Sequence, residues 1–194
     1  MNKTEFKTIK RLLTKLVLTL IFGALFFNCA KQPNSNFSTD KTEYLAGETI
    51  ILTNNSDDAV NYKWTLPDGQ IITTTNAEFK LDPNMSDGNV TITLESYSKK
   101  NKKVSKSTKT IPIFASGQIT FRSSSSGYPK SIYVDSVYIG SISKIYNSSI
   151  GCEEGSCFTT FVKVGAHYIK GVDAGNYSVG GITISKGDKT TYVL

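Results

Sequence analysis

The sequence predicts an all-β protein: a short leader followed by two small β-sandwiches in tandem. Three observations carry this. Beyond residue 37, apolar and polar residues alternate in short runs, the period of a half-buried strand. Clusters of Gly, Asn, Asp and Ser punctuate those runs at close intervals. No apolar stripe of period 3.6 runs long enough for a substantial helix.

The leader comes first. Lys3, Lys7, Lys10, Arg11 and Lys15, against a single Glu5, precede the apolar run Leu16 to Phe27. That run is shorter than the roughly 20 residues a spanning helix needs, and a basic segment before a short apolar one marks a secretory signal. The run ends on Asn28 and Cys29, where small residues would mark ordinary cleavage. This "LFFNC" context resembles the lipobox of bacterial lipoproteins, although Phe26 and Asn28 depart from its usual residues. The resemblance implies cleavage before Cys29 and acylation of its thiol, and more than one acyl chain on one residue anchors stably. Residues 1–28 are therefore expected to be a lipoprotein signal and residues 29–36 a polar tether.

Charge follows from that division. The full chain has 22 basic and 16 acidic residues, of which the leader holds 5 and 1, leaving 17 against 15. A balance near neutrality gives no support to nucleic-acid binding.

Residues 37–115 form the first expected sandwich. "TIILTN" places Ile50 and Leu52 on one face, "NYKWTL" places Tyr62, Trp64 and Leu66, and "NVTITLES" places Val90, Ile92 and Leu94 with Thr91, Thr93 and Glu95 outward. The stretch "AGETIILTNNSDDAVNYKWTLPDGQ", followed by "DGNVTITLES", resembles a PKD domain through Gly47, Ser56, Tyr62, Trp64, Asp68, Gly69, Gly88 and Leu94. The first Asp and first Gly of that family's Trp-Asp-Phe-Gly-Asp-Gly turn are replaced here by Thr65 and Pro67. The resemblance implies an immunoglobulin-like sandwich of the kind found in extracellular spacers and adhesion modules.

Candidate contacts in this half are few. Trp64 lies on the inward phase and is expected in the core. Tyr97 lies on the outward phase and is a binding candidate. Lys99, Lys100, Lys102 and Lys103, with Lys106 and Lys109 behind them, form an acid-free run that could grip an anionic envelope polymer; the competing reading is a solvated hairpin whose lysines guard a sheet edge. "DPNMSDGN" fails as a calcium loop, with Gly88 one place late and Thr93 where a glutamate is needed.

Residues 116–194 form the second. "IYVDSVYIG" reads as a tight hairpin turning at Asp135-Ser136. Together with "VGAHYIKGVD" and one final strand in "GITISKGDKTTYVL", it resembles a PEGA-type surface module, with Ser136 in place of the usual Gly. A transthyretin-like or carboxypeptidase-regulatory sandwich is the alternative. His167 is the only histidine and has no partnered ligands, so a structural role is expected. With Cys29 acylated, Cys152 and Cys157 are left in an exported chain, where an even thiol count favours a disulfide.

No nucleophile elbow, phosphate loop or dinucleotide fingerprint is present. The expectation is a non-catalytic protein without cofactor or metal, resembling PKD-bearing envelope lipoproteins of the Bacteroidota. It would be anchored by lipid at the outer membrane, with an envelope protein or glycan as partner. The alternative is a ligand-capture component of a surface complex, which needs a concave pocket.

Overall fold

The computed structural model describes residues 31–123, 129–144, 152 and 155–194. The leader and Cys29 lie outside them. Every α-helix is absent among the described residues; a single 3-10 turn, Lys99–Asn101, is the only helical element.

The first half holds β1 (Phe37–Thr39), β2 (Tyr44–Leu45), β3 (Thr49–Asn54), β4 (Asn61–Thr65), β5 (Ile71–Ile72), β6 (Ala77–Lys80), β7 (Gly88–Tyr97) and β8 (Val104–Phe114). They form two sheets, β1-β3-β6 and β2-β8-β7-β4-β5, antiparallel except for the short β2/β8 pairing. This is an immunoglobulin-like β-sandwich. The alternation read from the sequence explains it: Ile50 and Leu52 from one sheet and Trp64, Ile92 and Leu94 from the other are fully buried in a single cluster with Phe37 and Leu81. The Trp64 ring meets Phe37 edge to face at 5.2 Å, and its Nε1 donates to the Thr74 carbonyl at 3.1 Å. An indole so placed packs the core and touches no ligand.

The second half holds β9 (Ser116–Arg122), β10 (Lys130–Val134), β11 (Val137–Ile142), β12 (Cys157–Lys163), β13 (Gly165–Asp173), β14 (Asn176–Ile184) and β15 (Lys189–Val193). Its sheets are β11-β10-β13-β14 and β12-β9-β15, with β15 parallel to β9. Ile119, Phe121, Ile132, Val134, Val162 and Ile169 fill the space between them, with Ile139 and Ile182 packed at its margin. The single strand expected in "GITISKGDKTTYVL" is two. Gly187, at φ 74°, and the Asp188 carboxylate accepting the Ser185 N–H turn the chain, so that β14 and β15 join opposite sheets.

The β10–β11 hairpin turns where expected. Asp135 and Ser136 both have positive φ, 47° and 71°, and Val134 pairs with Val137, the geometry of a type I′ turn. Cys152 and Cys157 are joined by a disulfide.

The two halves meet at Ala115. The Ala46 N–H donates to the Phe114 carbonyl at 2.8 Å, the Ala115 N–H to the Asp87 carboxylate at 2.7 Å, and the Ser116 hydroxyl to the Ala46 carbonyl. The Lys163 ammonium lies 3.7 Å from the Phe114 ring centroid, and the Phe161 ring covers Gly47 so closely that a Cβ there would collide with it. Gly47 at φ 88° is thus demanded twice, by backbone and by neighbour.

Candidate functional site

The antiparallel register of β11-β10-β13-β14 sorts its side chains by face. Ile132, Val134, Ile169 and Ile184 point to the core. On the opposite face Tyr138 stands across from Tyr133, Tyr133 from Lys170 and Lys170 from Val179, so one row crosses all four strands. Beside it runs Ser141, Ser131, Val172 and Tyr177; on the other side Tyr168 faces Gly181. Tyr138, Tyr168 and Tyr177 are 56%, 49% and 71% exposed, a concentration of aromatic surface that a solvated sheet does not need. Tyr133 and Tyr138 meet edge to face at 5.6 Å, and the Lys170 ammonium lies 5.5 Å from the Tyr177 centroid.

The far side of the sheet explains why these residues are outside. Gly171 and Gly180 occupy inward positions, and a Cβ on Gly171 would come within 2.8 Å of Leu194, while one on Gly180 would strike the Tyr192 hydroxyl. Glycines make room for bulky side chains from the opposite sheet, which leaves Tyr177 and Val179 with solvent.

At one end of the face the Asp135 carboxylate accepts from the Tyr168 N–H at 2.8 Å and lies 2.6 Å from His167 Nδ1. These hydrogen bonds, the backbone one foremost, hold the Asp135 pKa below its ordinary value. His167 Nε2 reaches the Lys163 carbonyl at 2.7 Å. The lone histidine thus ties the β10–β11 turn to the end of β12.

The candidates named from the sequence lie elsewhere. Tyr97 is half-buried, and its hydroxyl donates to Glu95 at 3.0 Å. Glu95 also pairs with Lys63 at 2.9 Å, and the Lys63 ammonium foremost, with the Tyr97 hydroxyl, lowers its pKa. Lys99, Lys100, Lys102 and Lys103 sit at the tip of the β7–β8 hairpin, with Lys106 and Lys109 on β8. Taken one strand at a time, the sequence does not single out these tyrosines, because each stands in a separate run. The signal that could have found them is the repetition of Tyr across "SIYVDSVYIG", "AHYIKG" and "GNYSVGG".

Two hollows lie among the described residues. One of about 510 Å³ is lined by Pro67, Asp68, Phe79, Leu81 and Met85 among others. The other, about 270 Å³, lies at the junction between Asn84, Ser116, Gln118, Phe161 and Asp188. Among the described residues no group of three or more His, Cys, Asp or Glu side chains comes together to hold a metal ion.

No protein-family model matches the sequence, and no curated protein matches it. Solved structures similar to it include the PKD1 domain of Vibrio anguillarum Epp, at 20% identity over 44% of this chain and 96% of that one, with a TM-score of 0.36. The PKD1 domain of the Vibrio cholerae metalloprotease PrtV matches at 21% identity over 43% and 98%, with a TM-score of 0.35. A carbohydrate-binding module of the β-sandwich superfamily matches at 17% identity over 74% and 59%, with a TM-score of 0.39.

Proposed function

We propose that this chain is a lipid-anchored, non-catalytic binding or scaffold module of the bacterial envelope, with an envelope protein or glycan as partner. In this reading the domains are 37–115, PKD-like, and 116–194, PEGA-like, held off the outer membrane by the tether 29–36. The observation that carries it is the outer face of β11-β10-β13-β14, where tyrosines are displayed on a rigid sheet instead of being buried. Displayed aromatic surface serves adhesion.

Metabolic labelling with a fatty acid should mark the wild-type protein and not Cys29→Ser. Residues 30–194, which carry neither leader nor lipid, should still co-sediment with washed envelopes through the sandwich. Adding Tyr138→Ala and Tyr177→Ala should release them. Residues 30–194 that stay wholly in the supernatant would overturn the binding reading, and unlabelled wild type would overturn the anchor.

A second reading, ligand capture for a surface complex, draws on the hollow lined by Phe79, Leu81 and Met85. Its volume lies within the usual range for small-ligand sites. A small molecule protecting those residues while leaving the tyrosine face untouched would favour it.

A further inference from the structure

We infer that the tyrosine face is a platform for an uncharged polysaccharide chain, laid across the strands along the row Tyr138, Tyr133, Lys170 and Val179. This rests on the binding-module reading above and names its ligand class.

The row is long and straight enough for a polymer. Four strands in register are separated by three spacings of about 4.8 Å each, so the row extends roughly 14 Å before side chains at its ends are counted. Tyr168 and Tyr177 flank it on opposite sides of Lys170, so four tyrosines share one face. The sheet holds them on regular backbone, which is the placement that keeps a binding geometry fixed.

The chemistry of the face selects the ligand. A pyranose presents C–H groups on its faces and hydroxyls around its rim. Tyrosine answers both, with an apolar ring and a hydrogen-bonding hydroxyl. The other polar groups that the register places on this face are Ser131, Ser141 and Thr183, again hydroxyls. Lys170 is the only formally charged residue among these outward positions, and its ammonium is engaged by the Tyr177 ring. A polyanion would find one cation there. A peptide would find a single carboxylate, Asp135, at one end of the face and already held by His167 and the Tyr168 N–H, and because this is a sheet face no backbone pairing is on offer. An uncharged polyol loses nothing by the lack of charge.

Gly181 sharpens the assignment. It occupies an exposed outward position directly across from Tyr168, and its missing side chain leaves that ring's flank open. A Cβ there would meet nothing closer than the His167 carbonyl oxygen at 3.9 Å. Neither backbone conformation nor packing requires glycine at this place, so a larger residue can be introduced to cover the ring without disturbing the sheet.

The test uses residues 30–194, the processed chain without its lipid, with tyrosine rings isotopically labelled for NMR. Hexasaccharides of β-1,4-linked glucose, xylose, mannose and N-acetylglucosamine, and of α-1,4-linked glucose, are the probes. At least one should shift the ring signals at millimolar concentration, equally in low and high salt. Tyr138→Ala, Tyr177→Ala and Gly181→Val should each weaken that binding by about three- to tenfold, the worth of one aromatic contact. Their circular dichroism should be that of the parent.

Ring signals unmoved by every sugar would overturn the proposal, as would binding that all three variants leave intact. If the sugars fail while tyrosine-dependent envelope sedimentation persists after the polysaccharide is digested, the partner is a protein. The glycan assignment then falls and the binding-module reading stands. If the ring signals shift with protein concentration alone, and light scattering shows a dimer that Tyr177→Ala dissolves, a second copy occupies the face and the proposal falls. If neither sugars nor envelopes bind, both readings fall.

Discussion

The two sandwiches spend their aromatic residues in opposite ways. In the first, Phe37, Tyr44 and Trp64 are each 1% exposed or less, and the Tyr44 hydroxyl, pushed up to about 12 in pKa by burial and by its bond to Asp40, is held inside a hydrogen-bonded corner. In the second, Phe121 is buried but Tyr138, Tyr168 and Tyr177 face water. Composition does not settle which rings go where, because each half holds several, seven in residues 37–115 and ten in residues 116–194. What separates them is the residue on the other phase of the strand. Where the opposite phase is polar, as in β4, the rings Tyr62 and Trp64 go inward. Where it is glycine, as in β14, the core is filled from across the sandwich and the rings stay out. One half invests in cohesion and the other in contact.

The comparison breaks most severely at Trp64. Trp64→Ala removes the largest buried side chain of the first core, a change that typically costs about 3–5 kcal/mol, whereas Tyr177→Ala at an exposed position should stay within about 0.5 kcal/mol. Urea unfolding of both variants, followed by Trp64 fluorescence where that residue remains and by circular dichroism otherwise, measures the contrast. Equal destabilisation by the two would mean that the tyrosine face is covered and structural.

A middle-sized effect separates the halves by crosslinking. The Cys152–Cys157 disulfide closes a short loop in the second half alone. In the chain-entropy model such a loop contributes about 2 kcal/mol, so replacing both cysteines by serine should lower the melting temperature of the second half and leave the first unchanged. Residue-resolved hydrogen exchange, with β7 and β13 as reporters, distinguishes the two. Destabilisation of both together would show that the junction at Ala115 makes them one cooperative unit.

The smallest effect sharpens the picture of the face itself. Ser136 sits at φ 71°, a conformation that costs an L-residue about 1–2 kcal/mol and glycine nothing. Part of that gain is offset by the greater freedom of an unfolded glycine, so Ser136→Gly should raise stability by about 0.5–1 kcal/mol in denaturant melts. A loss would mean that the hairpin draws on the serine side chain.

Much of this fold was legible because local rules and global packing agree. Trp64, Ile92 and Leu94 fall on one phase of their strands, and that phase is buried. Asp135-Ser136 is turn chemistry flanked by two valines, and there the chain turns. The disulfide followed from thiol count and spacing. The β13–β14 hairpin was less legible because Ala174, at φ 29°, is an unusual residue to open its turn, and only Gly175 after it carries the signal. The face of β14 was illegible for a stronger reason. In "NYSVGGITI" the apolar phase is Tyr177 and Val179, so alternation points them inward. Their true orientation depends on Tyr192 and Leu194, which arrive from later in the chain to fill the glycine gaps. The tyrosine site therefore could not be read one strand at a time.

The parallel strand at the edge of the second half has a consequence in time. β15 lies alongside β9 with partners 71 residues apart, Lys189 against Gln118, and the Leu194 N–H closes the ladder on the Arg122 carbonyl. Chains leave the ribosome from the N-terminus onward, so the first sandwich has all its strands once Phe114 has emerged. The second must wait for its last one. Until then Phe121 lacks its neighbour Tyr192 and the glycines of β13 and β14 face empty space. Contacts this distant in sequence form slowly, and the partly made sheet is the stretch of chain most in need of protection from its own edges.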